Sequence, residues 1–222
     1  MSRQLEELED ELKARLLQMG GEAEAMIRLA TQALFERKEP LLKAVTQGEE
    51  KVNRLHLEVD DRCLKLLALH QPTAGDLRLI LAAAKINSDL ERTADQAVNV
   101  AETTALLLKQ PQLEKNFLDI PRMAEVAKKM LKDSLDAFVR KDTALARGVL
   151  KKDDEEDQLK SQAFHELMHL MQADSSTIQR ALGLILIARN LERIADHATN
   201  IAEDVIFMVL GTDIRHHTTD LG

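Results

Sequence analysis

Residues 90–102 read "LERTADQAVNVAE" and residues 191–203 read "LERIADHATNIAE", with nine of thirteen positions identical. Identity this dense inside one chain of 222 residues is the mark of an internal repeat. Two further pairs extend it. "FERKEPLL" (35–42) aligns with "FVRKDTAL" (138–145), and "EEKVNRL" (49–55) with "DDEEDQL" (153–159). The offset drifts only from 101 to 104 residues, so the chain is a duplication with small loop changes.

Helix breakers cut each copy into three. In the first, a helix from about Ser2 to Lys38 is expected, with a bend at Gly20-Gly21. Pro40 and Gly48 then bracket a short connector, and a second helix covers roughly Glu49 to Leu69, ahead of Pro72. In "PTAGDLR", Thr73 is a good N-cap with Asp76 at the third helical position, close to a capping box. The third helix runs to about Lys109, where Pro111 stops it. The second copy predicts helices near 121–140, 153–172 and 176–210. Short loops between long helices make neighbours antiparallel. The expected architecture is therefore all-α, two tandem three-helix bundles at 1–110 and 115–210. The tail "GTDIRHHTTDLG" (211–222) lacks periodicity, and its His216 and His217 read as part of a frayed end.

Composition agrees. Trp and Tyr are absent and only five Phe occur, which leaves the core to Leu, Ala, Ile, Val and Met, mostly good helix formers. Eight Gly and four Pro are few for a β-sandwich or barrel. A net charge of −8 argues against nucleic acid as a partner, because a basic surface supplies most of that affinity. The single Cys63 excludes an internal disulfide, fits a reducing compartment, and reads as a small buried hydrophobe. The charged N-terminus "MSRQLEELEDELKARLLQ" does not read as a signal peptide, and the apolar runs "LRLILAAAKI" and "ALGLILIA" fall short of a membrane span. A soluble, cytoplasmic protein is expected.

The repeated segment carries the chemistry. Glu91 and Asp95 are one helical turn apart, as are Glu192 and Asp196, so each pair shares a helix face. Steps of seven place Glu91 in the line Leu77, Ala84, Glu91, Val98, Ala105 and Glu192 in Ile178, Ile185, Glu192, Thr199, Ile206. Each glutamate thus interrupts a largely apolar line, where self-repulsion and lost hydration call for a positive partner. Arg92 and Arg193 point elsewhere, since neighbours at i+1 do not share a face. Counting from Pro72 as the turn, Asn53 and Glu91 both lie 19 residues away, and Glu49 and Asp95 both 23. From Asp174, Asp153 and Asp157 lie 21 and 17 residues before, and Glu192 and Asp196 lie 18 and 22 after. Equal rise along both helices brings these groups level across an antiparallel pair. Carboxylates gathered at one height could chelate hard cations; the same spacing also suits a solvated acidic stripe.

The doubled D/E-x-x-x-D/N elements, with "PTAGDLRLILAAAKINSDLERTADQAVNVAE" and "NLERIADHATNIAE", resemble the PhoU family of phosphate-uptake regulators over nearly the whole chain. That resemblance implies two three-helix bundles and a regulator that is not an enzyme. It also implies metal ions, in multinuclear clusters, held by Glu49, Glu91 and Asp95 in the first copy. In the second copy the implied ligands are Asp153, Asp157, Glu192 and Asp196. Oxygen-only sites accept Fe, Zn, Mn, Mg or Ca, so the metal's identity stays open. The implied setting is the cytoplasm, as a homodimer that reaches the membrane only through the phosphate ABC transporter ATPase and its phosphate-sensing histidine kinase. The chain departs from the family pattern at Asn53, where an acid is expected.

Three rival readings attach to the same residues. "FHELMHLM" (164–171) contains His165-Glu166-Leu167-Met168-His169, an H-E-x-x-H match, and "NLERIAD" (190–196) resembles the third-ligand element of thermolysin-like zinc proteases. The first copy reads "DRCLK" at the equivalent place yet keeps "LERTAD", so the duplication explains the supposed third ligand without proteolysis. A ferritin-like di-iron bundle needs Glu-x-x-His on two helices, and only Glu166–His169 supplies one. A metal-free helical adaptor, whose acids meet a basic partner, is the remaining alternative.

Overall fold

A computed structural model describes residues 3–113 and 119–214. Its helices are α1 (Arg3–Glu36), α2 (Pro40–His70), α3 (Ala74–Leu108), α4 (Asp119–Arg140), α5 (Thr143–Ala173) and α6 (Ile178–Leu210). A single 3₁₀ turn, Ser175–Thr177, leads into α6. Helices α1–α3 pack on one another as one bundle and α4–α6 as the other; α3 lies along α6, and α1 touches α4. The two copies share one core. Leu12, Leu16, Ile80, Ile86 and Leu90 are fully buried in the first, Met123, Met130, Phe138, Leu191 and Ile194 in the second.

Helix starts follow local chemistry. Thr73 donates its hydroxyl (2.8 Å) to Asp76 Oδ2, which completes the predicted cap of α3. At α5, Asp142 Oδ1 accepts from the backbone N–H groups of Ala144 (2.9 Å) and Leu145 (3.0 Å). Gly211 ends α6 with φ 73°, in the left-handed region that favours glycine. His216 and His217 lie outside the described residues.

Two expectations need correction. The connector between Pro40 and Gly48 does not exist: α2 begins at Pro40 and runs through Gly48. Proline at the first helical position lacks only an N–H that would have no intrahelical partner, so it starts this helix rather than breaking it. Gly48 is buried, and a Cβ there would lie 2.6 Å from Met26 Cγ, so close packing of α2 on α1 explains it. By the same logic α5 starts at Thr143, ten residues before the expected boundary. At Gly20-Gly21, where a bend is expected, α1 runs on as one unbroken helix. Gly20 is instead a notch that receives Leu135 of α4, while Gly21 faces open space.

Polar contacts tie the copies along α3 and α6. His197 Nδ1 lies 2.9 Å from Asp89 Oδ1, which also accepts from Asn200 Nδ2 at 3.3 Å. Lys85 reaches the buried Asp204 at 3.1 Å, and Arg78 Nε donates to the Met208 carbonyl at 3.2 Å. Cys63 is buried as expected, and loss of hydration pushes its thiol up to about 11, which makes it a poor nucleophile at neutral pH. No helix among the described residues is long and apolar enough to cross a membrane.

Candidate metal centre

Antiparallel packing of α5 on α6 brings the turn 153–157 level with the turn 192–196, as the count from Asp174 requires. The Lys160 ammonium marks the junction. It donates to Asp157 Oδ1 and Glu192 Oε1, both at 2.7 Å, and so bridges the two helices. Asp153 and Glu192 are half-buried, whereas Asp157 and Asp196 stand at the exposed rim. Burial, then the charges of Asp196 and Asp157, pushes the Asp153 carboxyl up to about 6. Burial and Glu192 also raise Asp196. The side-chain hydrogen bonds of Asp157 and Glu192 raise Lys160, so it stays charged. The four predicted acids of the second copy therefore form one electrostatic group, and Lys160 is the positive partner its repulsion calls for.

One member was missed. Glu156 is only 1% exposed, and neither of its carboxylate oxygens has a hydrogen-bond partner. Burial, then Glu192 and Asp153, pushes it up to about 8. The signal was present in the alignment of "DDEEDQL" with "EEKVNRL", where Glu156 stands in the place of Val52. Val52 is fully buried, so an acid at that place in the second copy had to face the interior.

In the first copy Glu49 and Glu91 are half-buried, and Asn53 and Asp95 are exposed. The polar link between α2 and α3 lies one turn away, where Asn87 Nδ2 donates to the His56 carbonyl (3.0 Å) and Asp60 Oδ1 (2.9 Å). His165 and His169 are both exposed on α5, and Phe164 packs edge-on against His165. Among the described residues, no three acidic, histidine or cysteine side chains meet closely enough to hold an ion as they stand. In the second copy the ammonium of Lys160 occupies the gap between Asp157 and Glu192. A cleft of about 340 Å³ opens beside it, lined by Lys160, Phe164, Ile185, Ala188, Arg189 and Glu192. The donor set still fits a hard cation: it is all oxygen, rich in acids, and includes a buried carboxyl group whose two oxygens have no hydrogen-bond partner.

Fold and site define a class: duplicated six-helix proteins with level pairs of acidic turns on the second and third helices of each copy. The model of the PhoU domain matches residues 16–104 and 120–205, one match for each bundle. The chain belongs to the PhoU family. A phosphate-specific transport system accessory protein PhoU homolog of Aquifex aeolicus is 41% identical over 207 residues, 93% of each chain. The homolog of that name in Pseudomonas aeruginosa is 38% identical over 210 residues, covering 95% of this chain and 86% of its own. The crystal structure of PhoU from Pseudomonas aeruginosa superposes with a TM-score of 0.88 at 36% identity, over 91% of this chain and 97% of that one. The phosphate transport system regulatory protein PhoU from Streptococcus pneumoniae superposes with a TM-score of 0.87 at 26% identity, over 94% and 98%.

Proposed function

We propose that this protein is a metal-binding, non-enzymatic regulator of phosphate homeostasis. It acts in the cytoplasm as a homodimer and restrains both phosphate uptake and the phosphate-starvation response. Its partners are the ATPase of the phosphate ABC transporter and the phosphate-sensing histidine kinase. The observation that carries the reading is the family match across both bundles, supported by relatives whose names are those of phosphate transport accessory proteins. The sites are Asp153, Asp157, Glu192 and Asp196 in the second copy, and Glu49, Glu91 and Asp95 in the first.

A bound cation would supply positive charge that neutralises the carboxylates of Asp153 and Asp157 on α5 and of Glu192 and Asp196 on α6. The chain's own residues supply the rest. Asp153 and Glu192, half-buried, hold their charges close to the helix seam, and Asp157 and Asp196 close the rim. Lys160 balances part of that charge when no cation is present. Deleting the gene is expected to leave phosphate-starvation genes switched on in phosphate-rich medium, read with a reporter fusion. Normal repression in that strain contradicts the regulatory reading.

A further inference from the structure

Glu156 is the anomaly of the second bundle. A carboxyl group with two unpartnered oxygens and 1% exposure forgoes hydration without any hydrogen bond in return. Its counterpart Val52 shows that this position accepts an apolar side chain in the same fold. Nothing in the packing therefore requires an acid. Glu156 lies one turn along α5 from Asp153 and from Lys160, and so shares their side of the helix. It is the inner wall of the cluster, while Asp157 and Asp196 are its outer rim.

We infer that Glu156 is a fifth metal-binding carboxylate, closing the second copy's site from beneath, and that Lys160 is a tethered cation which the metal displaces. The inference rests on the metal-binding reading of this site and goes beyond it. It assigns a buried ligand that the D/E-x-x-x-D spacing does not include, and a resident competitor for the same charge. The two parts support each other. With Lys160 in place Asp157 and Glu192 are satisfied, yet the ammonium makes no hydrogen bond to Glu156. A cation seated deeper than Lys160 would reach Glu156 as well as the outer acids. The first copy carries Val52 and His56 at the corresponding places, so both devices belong to the second copy alone.

The test uses Mn²⁺ as probe, because an oxygen donor set suits it and its free form is counted directly by electron paramagnetic resonance. The full chain carrying Glu91→Gln and Asp95→Asn confines binding to the second copy. In that background, Glu156→Gln and Glu156→Val are each expected to weaken Mn²⁺ binding about tenfold or more. They should also shrink the Mn²⁺-induced rise in Tm. The metal-free Tm of Glu156→Val should equal or exceed that of the parent, because a buried unpartnered acid is replaced by the first copy's own residue. Glu156→Gln keeps the shape and guards against a packing artefact. Unchanged Mn²⁺ affinity in both variants, alongside loss in Asp153→Asn or Glu192→Gln, overturns the role of Glu156 and leaves the metal site standing. A parent that takes up no Mn²⁺ overturns the metal reading itself, and this inference with it.

Discussion

Lys160 shows how much of the site's electrostatics one side chain controls. Its ammonium meets Asp157 and Glu192 at 2.7 Å on two different helices, and so sits between two of the four predicted site acids of the second copy. Replacing it with Met removes the counter-charge without removing the aliphatic stem. Lys160→Met is therefore expected to lower Tm in chelator and to tighten Mn²⁺ binding several-fold, because the cluster loses both its partner and its competitor. Parallel Mn²⁺ titration and thermal melts check this. Weaker Mn²⁺ binding by the variant contradicts the displacement account. His165 and His169 carry the opposite expectation. Both are exposed, and the first copy has nothing like their motif. Changing both to Gln should leave metal content and phosphate-dependent repression nearly intact, and a metal-dependent peptidase activity abolished by that change would revive the protease reading. At this scale the sequence was most legible where acids fell at helical spacing. It was least legible at Glu156, because a pattern of D/E-x-x-x-D draws the eye past the acid between its ends.

Helix α1 poses a test of element packing at its Gly20-Gly21 pair. A Gly-Gly pair reads as a bend when only backbone freedom is considered. The structure gives each glycine a separate account: Gly20 is buried against Leu135 of α4, and Gly21 is exposed with nothing near its missing Cβ. Alanine at either place gains about 1 kcal/mol of helix propensity. At Gly20 that gain is outweighed by a collision with Leu135, and overpacking a buried contact costs about 1–3 kcal/mol. Gly21→Ala is expected to raise stability by about 1 kcal/mol, while Gly20→Ala leaves it unchanged or lowers it. Urea melts of the two variants decide the matter, and a stabilised Gly20→Ala protein contradicts the notch. The starts of α2 and α5 were misplaced for a related reason. Pro40 and Asp142 are both good helix openers, but each sits among turn-like residues that suggest a loop when read locally. The cap at Thr73 was legible because its partner Asp76 lies only three residues on.

Across the whole molecule, duplication makes the second bundle a control for the first. The same hairpin geometry presents Glu49, Asn53, Glu91 and Asp95 in one copy and Asp153, Asp157, Glu192 and Asp196 in the other. The repeat was plain from sequence because identity over thirteen positions survives loop drift. How the copies join was not, since contacts such as Asp89 with His197 involve residues more than a hundred positions apart and follow no local spacing. The pairing of α3 with α6 leaves each acidic hairpin, α2–α3 and α5–α6, to its own bundle. The two sites therefore differ by their residues rather than by their architecture. An amide at 53 offers one neutral carbonyl oxygen where Asp157 offers a charge and two oxygens. The formal charge of the acids is −3 for the first set and −4 for the second, and on the metal-binding reading a cation that displaces Lys160 would meet that full −4, which would favour the second copy. Elemental analysis of freshly purified protein tests this most directly. The double change Glu192→Gln, Asp196→Asn is expected to remove more bound metal than Glu91→Gln, Asp95→Asn. Equal losses from the two, or a larger loss from the first-copy pair, would contradict it.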